Sequence, residues 1–309
     1  MKVLVVCSGT HEAFSLENHQ AFIYDQMNAM MNKGIEYSTF FVKENSYRGY
    51  LKHYFLFKKE LKKNSYDLIH AYYGLSGLLA VLQRECPVVV TFLGSDIHNW
   101  KIRILSKIAI ALSTHSIFVS EKLAKKSKVK RKYSILPFGV NLNLFYELDK
   151  FKCKKKQNFD INKKYALFAS SFNNPVKNFK LAKAAIDNFT DIELISLMKN
   201  LKREEINVLM NACDFLILTS FSEGSPQVIK EAMACNTPII STDVGDVKEL
   251  IINVKGCYII SYDIDDIIDK IKKVISFGQK TDGRKYIEKL DNEIISKKLL
   301  DLYNQILSN

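Results

Sequence analysis

The sequence predicts an α/β protein made of two doubly wound domains, and three observations carry that expectation. Short apolar runs alternate with amphipathic stretches along nearly the whole chain, the pattern of parallel strands covered by helices on both faces. The alternation starts afresh after a hydrophilic, Lys-rich stretch at 142–164 that has no clear periodicity and reads as a linker. A length of 309 residues suits two domains of ordinary size. The expected division is a first domain at 1–148, a second at 149–290 and a closing helix at 291–309.

Taken in order, the runs at 3–7, 37–42, 68–71, 88–92, 116–119 and 133–136 are buried strands flanked by polar or turn residues. Helical periodicity fills 21–32, 50–62 and 77–83 between them. In the second half, strands at 165–169, 191–196, 215–218, 238–241 and 257–260 alternate with helices at 177–185, 203–212, 226–234 and 264–275. The last helix, 293–307, puts Ile294, Ile295, Leu299, Leu300, Tyr303 and Ile306 on one side. Open parallel sheets bind ligands beyond the C-terminal ends of their strands, so each domain is expected to present those loops to a cleft between them.

Composition narrows the classes. Apolar residues at 47% and charged residues at 25% fit a globular chain and exclude disorder. No stretch reaches the ~20 apolar residues of a membrane-spanning helix. The five apolar residues after Met1-Lys2 are too few for a signal peptide. The expectation is a cytoplasmic protein, neither exported nor integral. Six cysteines without a CxxC pair, four of them (7, 213, 235, 257) in apolar runs, and six scattered histidines argue for a reducing compartment and no metal site.

The net charge of +12 is uneven: residues 1–150 carry 21 Lys/Arg against 12 Asp/Glu, residues 151–309 carry 24 against 21. The excess gathers at 58–63 and 122–132. Such clusters attract anionic lipid or an acidic polymer, and they equally form solvated lysine faces. They are nearly all Lys and lack Arg–aromatic interleaving, which speaks against nucleic acid.

Chemistry concentrates in 215–252, FLILTSFSEGSPQVIKEAMACNTPIISTDVGDVKELII. A strand runs through a Ser/Glu/Gly loop into a helix, with Ser225 expected as N-cap and Pro226 at the first helical position. The N–H groups of Gln227 and Val228 then point out of the helix end and, with the positive end of the helix dipole, suit a phosphate. Gly224 allows a ligand close to the backbone. Glu223 lies in the loop. Glu231 lies in the second helical turn, about 130° from the apolar face at ~100° per residue. Carboxylates are double acceptors that suit the neighbouring hydroxyls of a sugar or ribose. Each glutamate alone is also explained by the helix dipole; acid, Gly, Ser-Pro and second acid on one strand–loop–helix favour a site.

Glu223 and Glu231 form an E-x7-E motif, and SEGSPQVIKEAMACNTPIISTDVGD resembles the donor-binding signature of retaining glycosyltransferases of family 4. The likeness continues in YDLIHAYYGLSG, PVVVTFLGSD, STHSIFVSEKLAKKS, ILPFGVNLNLF and PVKNFKLAKAA, in the family's order. The wording is similar to enzymes of bacterial surface-polysaccharide clusters, teichuronic-acid-type transferases included. The resemblance implies the GT-B fold, two Rossmann-like domains with an interdomain cleft, and a last helix that crosses back to the first domain. It implies a hexosyl- or N-acetylhexosaminyl-transferase using a nucleotide-sugar co-substrate, usually UDP-linked, with a polysaccharide or lipid-linked acceptor and no resident cofactor.

It also implies roles. Glu223 contacts hydroxyls of the donor sugar, Gly224, Ser225, Pro226, Gln227 and Val228 lie near sugar and diphosphate, and Glu231 holds the ribose. Lys177 matches the basic residue that neutralises the diphosphate; with the helix dipole it stabilises the leaving group without a metal. Ser8-Gly9-Thr10 corresponds to the glycine loop, placing Gly9 and Thr10 near the phosphates, while His11 and Asp96 fall on the acceptor side. Asp96 is alternatively a helix cap. Two departures stand out: Ser171 replaces the frequent Arg six residues before the lysine, and Leu93 replaces a frequent His. They leave open a protein that binds nucleotide sugar without turning it over. Asp263-Ile264-Asp265 contains a DxD, explained by charge complementarity at a helix start.

Overall fold

The computed structural model describes residues 1–9, 14–44, 47–130, 132–168, 170–197 and 201–308, without the side chains of residues 47 and 48. Six parallel strands form the first sheet: β1 Lys2–Ser8, β2 Glu36–Val42, β3 Leu68–Tyr72, β4 Val88–Phe92, β5 His115–Phe118 and β6 Tyr133–Ile135, in the order β2-β1-β3-β4-β5-β6. β3 and β4 are buried throughout, as unbroken apolar strands covered on both faces must be. Five strands form the second sheet: β7 Lys164–Phe168, β8 Ile192–Ser196, β9 Phe215–Leu218, β10 Ile239–Thr242 and β11 Tyr258–Ile260, in the order β11-β10-β9-β7-β8. Every expected strand is present, with its ends displaced by no more than about one residue. Strand order reverses between β1 and β3 in one sheet and between β7 and β9 in the other. Those switch points are where such sheets open a crevice for ligands.

The chain divides into two units, Met1–Gly139 with Asn292–Asn309, and Val140–Asp291. The division falls before the expected boundary at 148 because Val140 already belongs to the second unit, its N–H donating to Leu290 O at 2.9 Å. Gly139 stays with the first: a Cβ there would stand 2.7 Å from the Cα of Asn292, so only glycine fits. The stretch 142–164 is no bare linker. It holds the Lys150–Lys156 helix, capped by Asp149, which accepts from Lys152 N at 2.8 Å. Its lysines hid its amphipathic character. Cys153 is buried, and Lys154 tucks its stem inward to donate to Lys163 O at 2.6 Å. The Trp100–Leu112 helix likewise escapes periodicity, because apolar residues occur on more than its buried side.

The Asn292–Leu307 helix completes the first unit. Leu299 and Tyr303 join Val3, Met30, Leu68 and Val89 in one cluster. Ile295 is buried too, but Ile294 is exposed, a correction to the expected face. The Tyr303 hydroxyl lies 2.5 Å from His70 Nδ1, and His70 Nε2 lies 2.7 Å from Thr91 Oγ1. Burial pushes the His70 pKa down to about 3, so the ring is neutral and both nitrogens rely on these partners. Tyr303→Phe is expected to destabilise the fold by about 1–3 kcal/mol, because it leaves a buried ring nitrogen without its partner. Urea unfolding checks this; a midpoint equal to wild type would remove the role given to the hydroxyl. Among the described residues no helix is long and apolar enough to cross a membrane.

Candidate active site

In the second unit the loops after β7 and β9, neighbours at the switch point, are built to meet. Asn174 starts the first by accepting Val176 N at 3.1 Å, which winds Pro175–Lys177 into a single 3₁₀ turn. Asn178 then takes a left-handed conformation (φ 52°) before the Phe179–Ile186 helix begins. From the end of β9, Thr219 Oγ1 donates towards Lys177 O (2.9 Å) and Asn178 O (3.0 Å), and Phe221 N donates to Val176 O (2.9 Å). So fastened, the loops bring Lys177 Nζ to 2.6 Å from Glu223 Oε1. The two side chains are 19% and 14% exposed, partly shielded yet open to exchange partners. Two residues expected from sequence to do chemistry are thus in direct contact.

The Gln227–Ala234 helix follows. Its start corrects the expected cap: Pro226 is the N-cap, in extended conformation, and no side chain caps the end. Ser225 instead donates its hydroxyl to Asp246 Oδ2 at 2.6 Å. The loop after β10 presses close here. Gly245 has φ +55°, and a Cβ on it would stand 2.6 Å from Gly224 O, so its glycine is required both by conformation and by space. Gly224 is therefore locked between the two loops.

Val228, Ile229, Lys230, Ala232, Met233 and Ala234 are buried, which leaves Gln227 and Glu231, one turn apart, as the partly open positions of the helix. Lys230 is fully buried, and its Nζ donates to Gln227 Oε1 at 2.9 Å. Burial pushes its pKa down to about 8, opposed by the charges of Asp246 and then Glu231. Burial raises the Asp246 carboxyl, which the Lys230 charge and the Ser225 hydroxyl pull back. Lys230 and Asp246 carry no role in the sequence reading. The available signals were a lysine directly after the apolar pair Val228-Ile229, and an acid directly after Gly245 in the loop that follows β10.

The residues expected from the first unit stand differently. Thr10 and His11 lie outside the described residues. Gly9 is explained by packing, since a Cβ would stand 2.9 Å from Phe41 Cβ. Asp96 is corrected from an acceptor-side residue to a loop clasp. It is wholly buried, and its carboxylate accepts from Gly94 N (2.8 Å), Leu93 N (3.1 Å) and Gly74 N (3.1 Å). Desolvation outweighs these bonds and pushes its pKa up to about 6. Asp263 caps its helix, accepting from Asp265 N at 3.0 Å.

Two parallel α/β units, the second with an acid–base pair and a helix tip at its switch point, define the class of two-Rossmann-domain transferases. Residues 193–289 match the model described as "Glycosyl transferases group 1", and residues 22–131 match "Glycosyl transferase 4-like". The chain is 27% identical over 214 residues to a putative teichuronic acid biosynthesis glycosyltransferase, TuaC, of Bacillus subtilis, covering 60% of this chain and 55% of that protein. It is 23% identical over 312 residues to N,N'-diacetylbacillosaminyl-diphospho-undecaprenol alpha-1,3-N-acetylgalactosaminyltransferase of Campylobacter jejuni, covering 84% and 82%. The fold is similar to sucrose-phosphate synthase of Thermosynechococcus elongatus (TM-score 0.85, 17% identity, all of both chains). It is also similar to Anabaena Alr3699/HepE in complex with UDP and glucose (TM-score 0.76, 16% identity, 99% of this chain and all of that one). The chain belongs to the family 4-type glycosyltransferases of GT-B architecture.

Proposed function

We propose that the protein transfers a sugar from a UDP-linked donor to a polysaccharide or lipid-linked glycan acceptor, with retention of anomeric configuration. It does so in the cytoplasm at the inner face of the membrane. The observation that carries the proposal is the Lys177–Glu223 contact at the β7/β9 switch point, beside the tip of the Gln227–Ala234 helix. A donor diphosphate draws Lys177 to itself and releases Glu223 to accept from the sugar hydroxyls. Ammonium and helix dipole then share the charge that develops on the departing UDP. Gln227, held by Lys230, and Glu231 face the nucleotide, with Glu231 accepting from the ribose hydroxyls. The excess of Lys/Arg in the first half of the chain draws it to anionic lipid, where membrane-borne acceptors reside.

Isothermal titration with UDP is the first test. Glu231→Ala is expected to weaken UDP binding by about tenfold, as two hydroxyls lose a charged acceptor. Equal affinity in wild type and variant would remove the ribose role. UDP-sugar binding with neither transfer nor hydrolysis would instead make the chain a binding protein. The anomeric proton of the product, read by NMR, tests retention.

A further inference from the structure

The first unit holds a pair of cavities that meet. One, of about 410 Å³, opens at the β1/β3 switch point and is walled by polar groups that include Ser8, Gln20, Tyr73 and Ser95. Gln20 gives its amide N–H to Ser8 O at 3.0 Å, and its Oε1 is buried with no partner among the described residues. Tyr73 holds a left-handed φ of 84°, a strained backbone for a bulky residue, of the kind that clusters at ligand sites. The second is an apolar groove of about 640 Å³ between the Tyr47–Lys63, Gly74–Val81 and Trp100–Leu112 helices. Leu51, Tyr54, Leu78, Leu82 and Leu105 line it, and among the described residues Lys101 brings a charged side chain to its wall. Tyr50, Leu75 and Ile102 line both, so the polar end runs directly into the apolar one.

The surroundings of the groove are also amphiphilic. Trp100, Ile104, Ile108 and Leu112 recur every fourth residue and stay exposed, a stripe along one side of their helix. Leu51, Phe55 and Leu56 are exposed on the facing helix. The sequence of these two helices carries nine Lys/Arg and one acid, Glu60. An exposed apolar surface of this extent marks an interaction site, and its positive charge selects an anionic amphiphile.

We propose that cavity and groove form one site for a lipid-linked acceptor. Its sugar occupies the polar end, the first carbons of its hydrocarbon chain occupy the groove, and Lys101 stands beside the phosphate that joins them. This rests on the transferase reading and narrows its acceptor from glycans in general to phosphate-bridged lipids. A free sugar would leave the groove empty, and a plain phospholipid would leave the hydroxyl-lined end without a partner.

Trp100, the single tryptophan of the chain, has its ring centroid 5.7 Å from Lys101 Nζ and so reports on a ligand that reaches Lys101. With farnesyl monophosphate, kept below its micelle-forming concentration, its emission is expected to shift blue and saturate. Inorganic phosphate is expected to leave the emission unchanged, and farnesol to bind about tenfold more weakly through loss of the charged contact. Leu51→Asn with Leu82→Asn changes two exposed groove residues, so the fold is kept. It is expected to weaken farnesyl phosphate binding by about tenfold through lost apolar contact. UDP titration of the same samples separates the two proposals, because the nucleotide belongs to the other unit. Normal UDP binding without a saturable tryptophan response, or with a response the double variant does not weaken, overturns the acceptor site alone. Inorganic phosphate reproducing the shift, or farnesol binding as tightly as its phosphate, overturns it as well. Loss of UDP binding in the wild type would overturn the donor reading instead.

Discussion

Lys177→Ala is expected to lower transfer turnover by about 10²–10³-fold, the usual loss when one preorganised charge is taken from a developing anion. The side chain sits at the end of a one-turn helix held by Asn174 and Thr219 through backbone groups, so its removal leaves the loop's own bonds in place. Its contact with Glu223 is only about one-sixth exposed, so its removal also costs some stability. Turnover is therefore to be compared well below the unfolding midpoint, which falls somewhat in the same variant. Glu223→Ala is expected to lower turnover at least about tenfold. The double variant should lose less than the two single losses together, since the groups act on one bound sugar diphosphate. Turnover in Lys177→Ala within a factor of about two of wild type would sink the assignment of this lysine to the leaving group.

The second large effect falls on stability. Asp246→Ala removes the main opposite charge from fully buried Lys230 and is expected to cost about 3–5 kcal/mol. Adding Lys230→Met should recover most of that loss, because an apolar chain of similar length needs no partner there. The double variant should still bind UDP more weakly, since Gln227 loses the ammonium that orients it. pH gives a separate readout. The folded-state pKa of Lys230 is about 8 against an ordinary 10.5, so between those values the unfolded chain holds a proton that the folded chain has released. Stability contributed by this group then rises with pH across that window. Wild type minus Lys230→Met, followed by chemical denaturation from pH 8 to 10.5, isolates the slope. A flat difference would show that burial does not depress this lysine, and an Asp246→Ala protein as stable as wild type would show that the two charges are not coupled.

Much of this was legible from residue order. The strands could be placed because parallel strands covered on both faces are short unbroken apolar runs, and 88–92 or 215–218 can be little else. Glu223, Gly224, Gln227 and Glu231 could be grouped because they follow one strand within a few residues. Lys177 could be joined to them only by resemblance. What brings it to Glu223 is the adjacency of β7 and β9, strands separated by a whole β–α unit in the chain. Helix signals failed where composition masked them: in Lys150–Lys156, whose lysine stems pack as apolar chains, and in Trp100–Leu112, whose exposed side is apolar too.

Direction was the part that residue type could not give. Ser225 and Asp96 have the chemistry of caps or ligand contacts, yet one serves Asp246 and the other three backbone amides. The sequence by itself determined the two α/β units, the strand–loop–helix that carries the acids and the uneven charge, all of which follow from local periodicity and from neighbours within a few residues. Only the tertiary structure decided the Lys177–Glu223 contact, the burial of Lys230 with Asp246, the inward turn of Asp96 and the joining of a polar cavity to an apolar groove. Each of these depends on which distant segments become neighbours when the sheets close, and the free energy of a charge or hydroxyl is set by those neighbours rather than by its place in the chain.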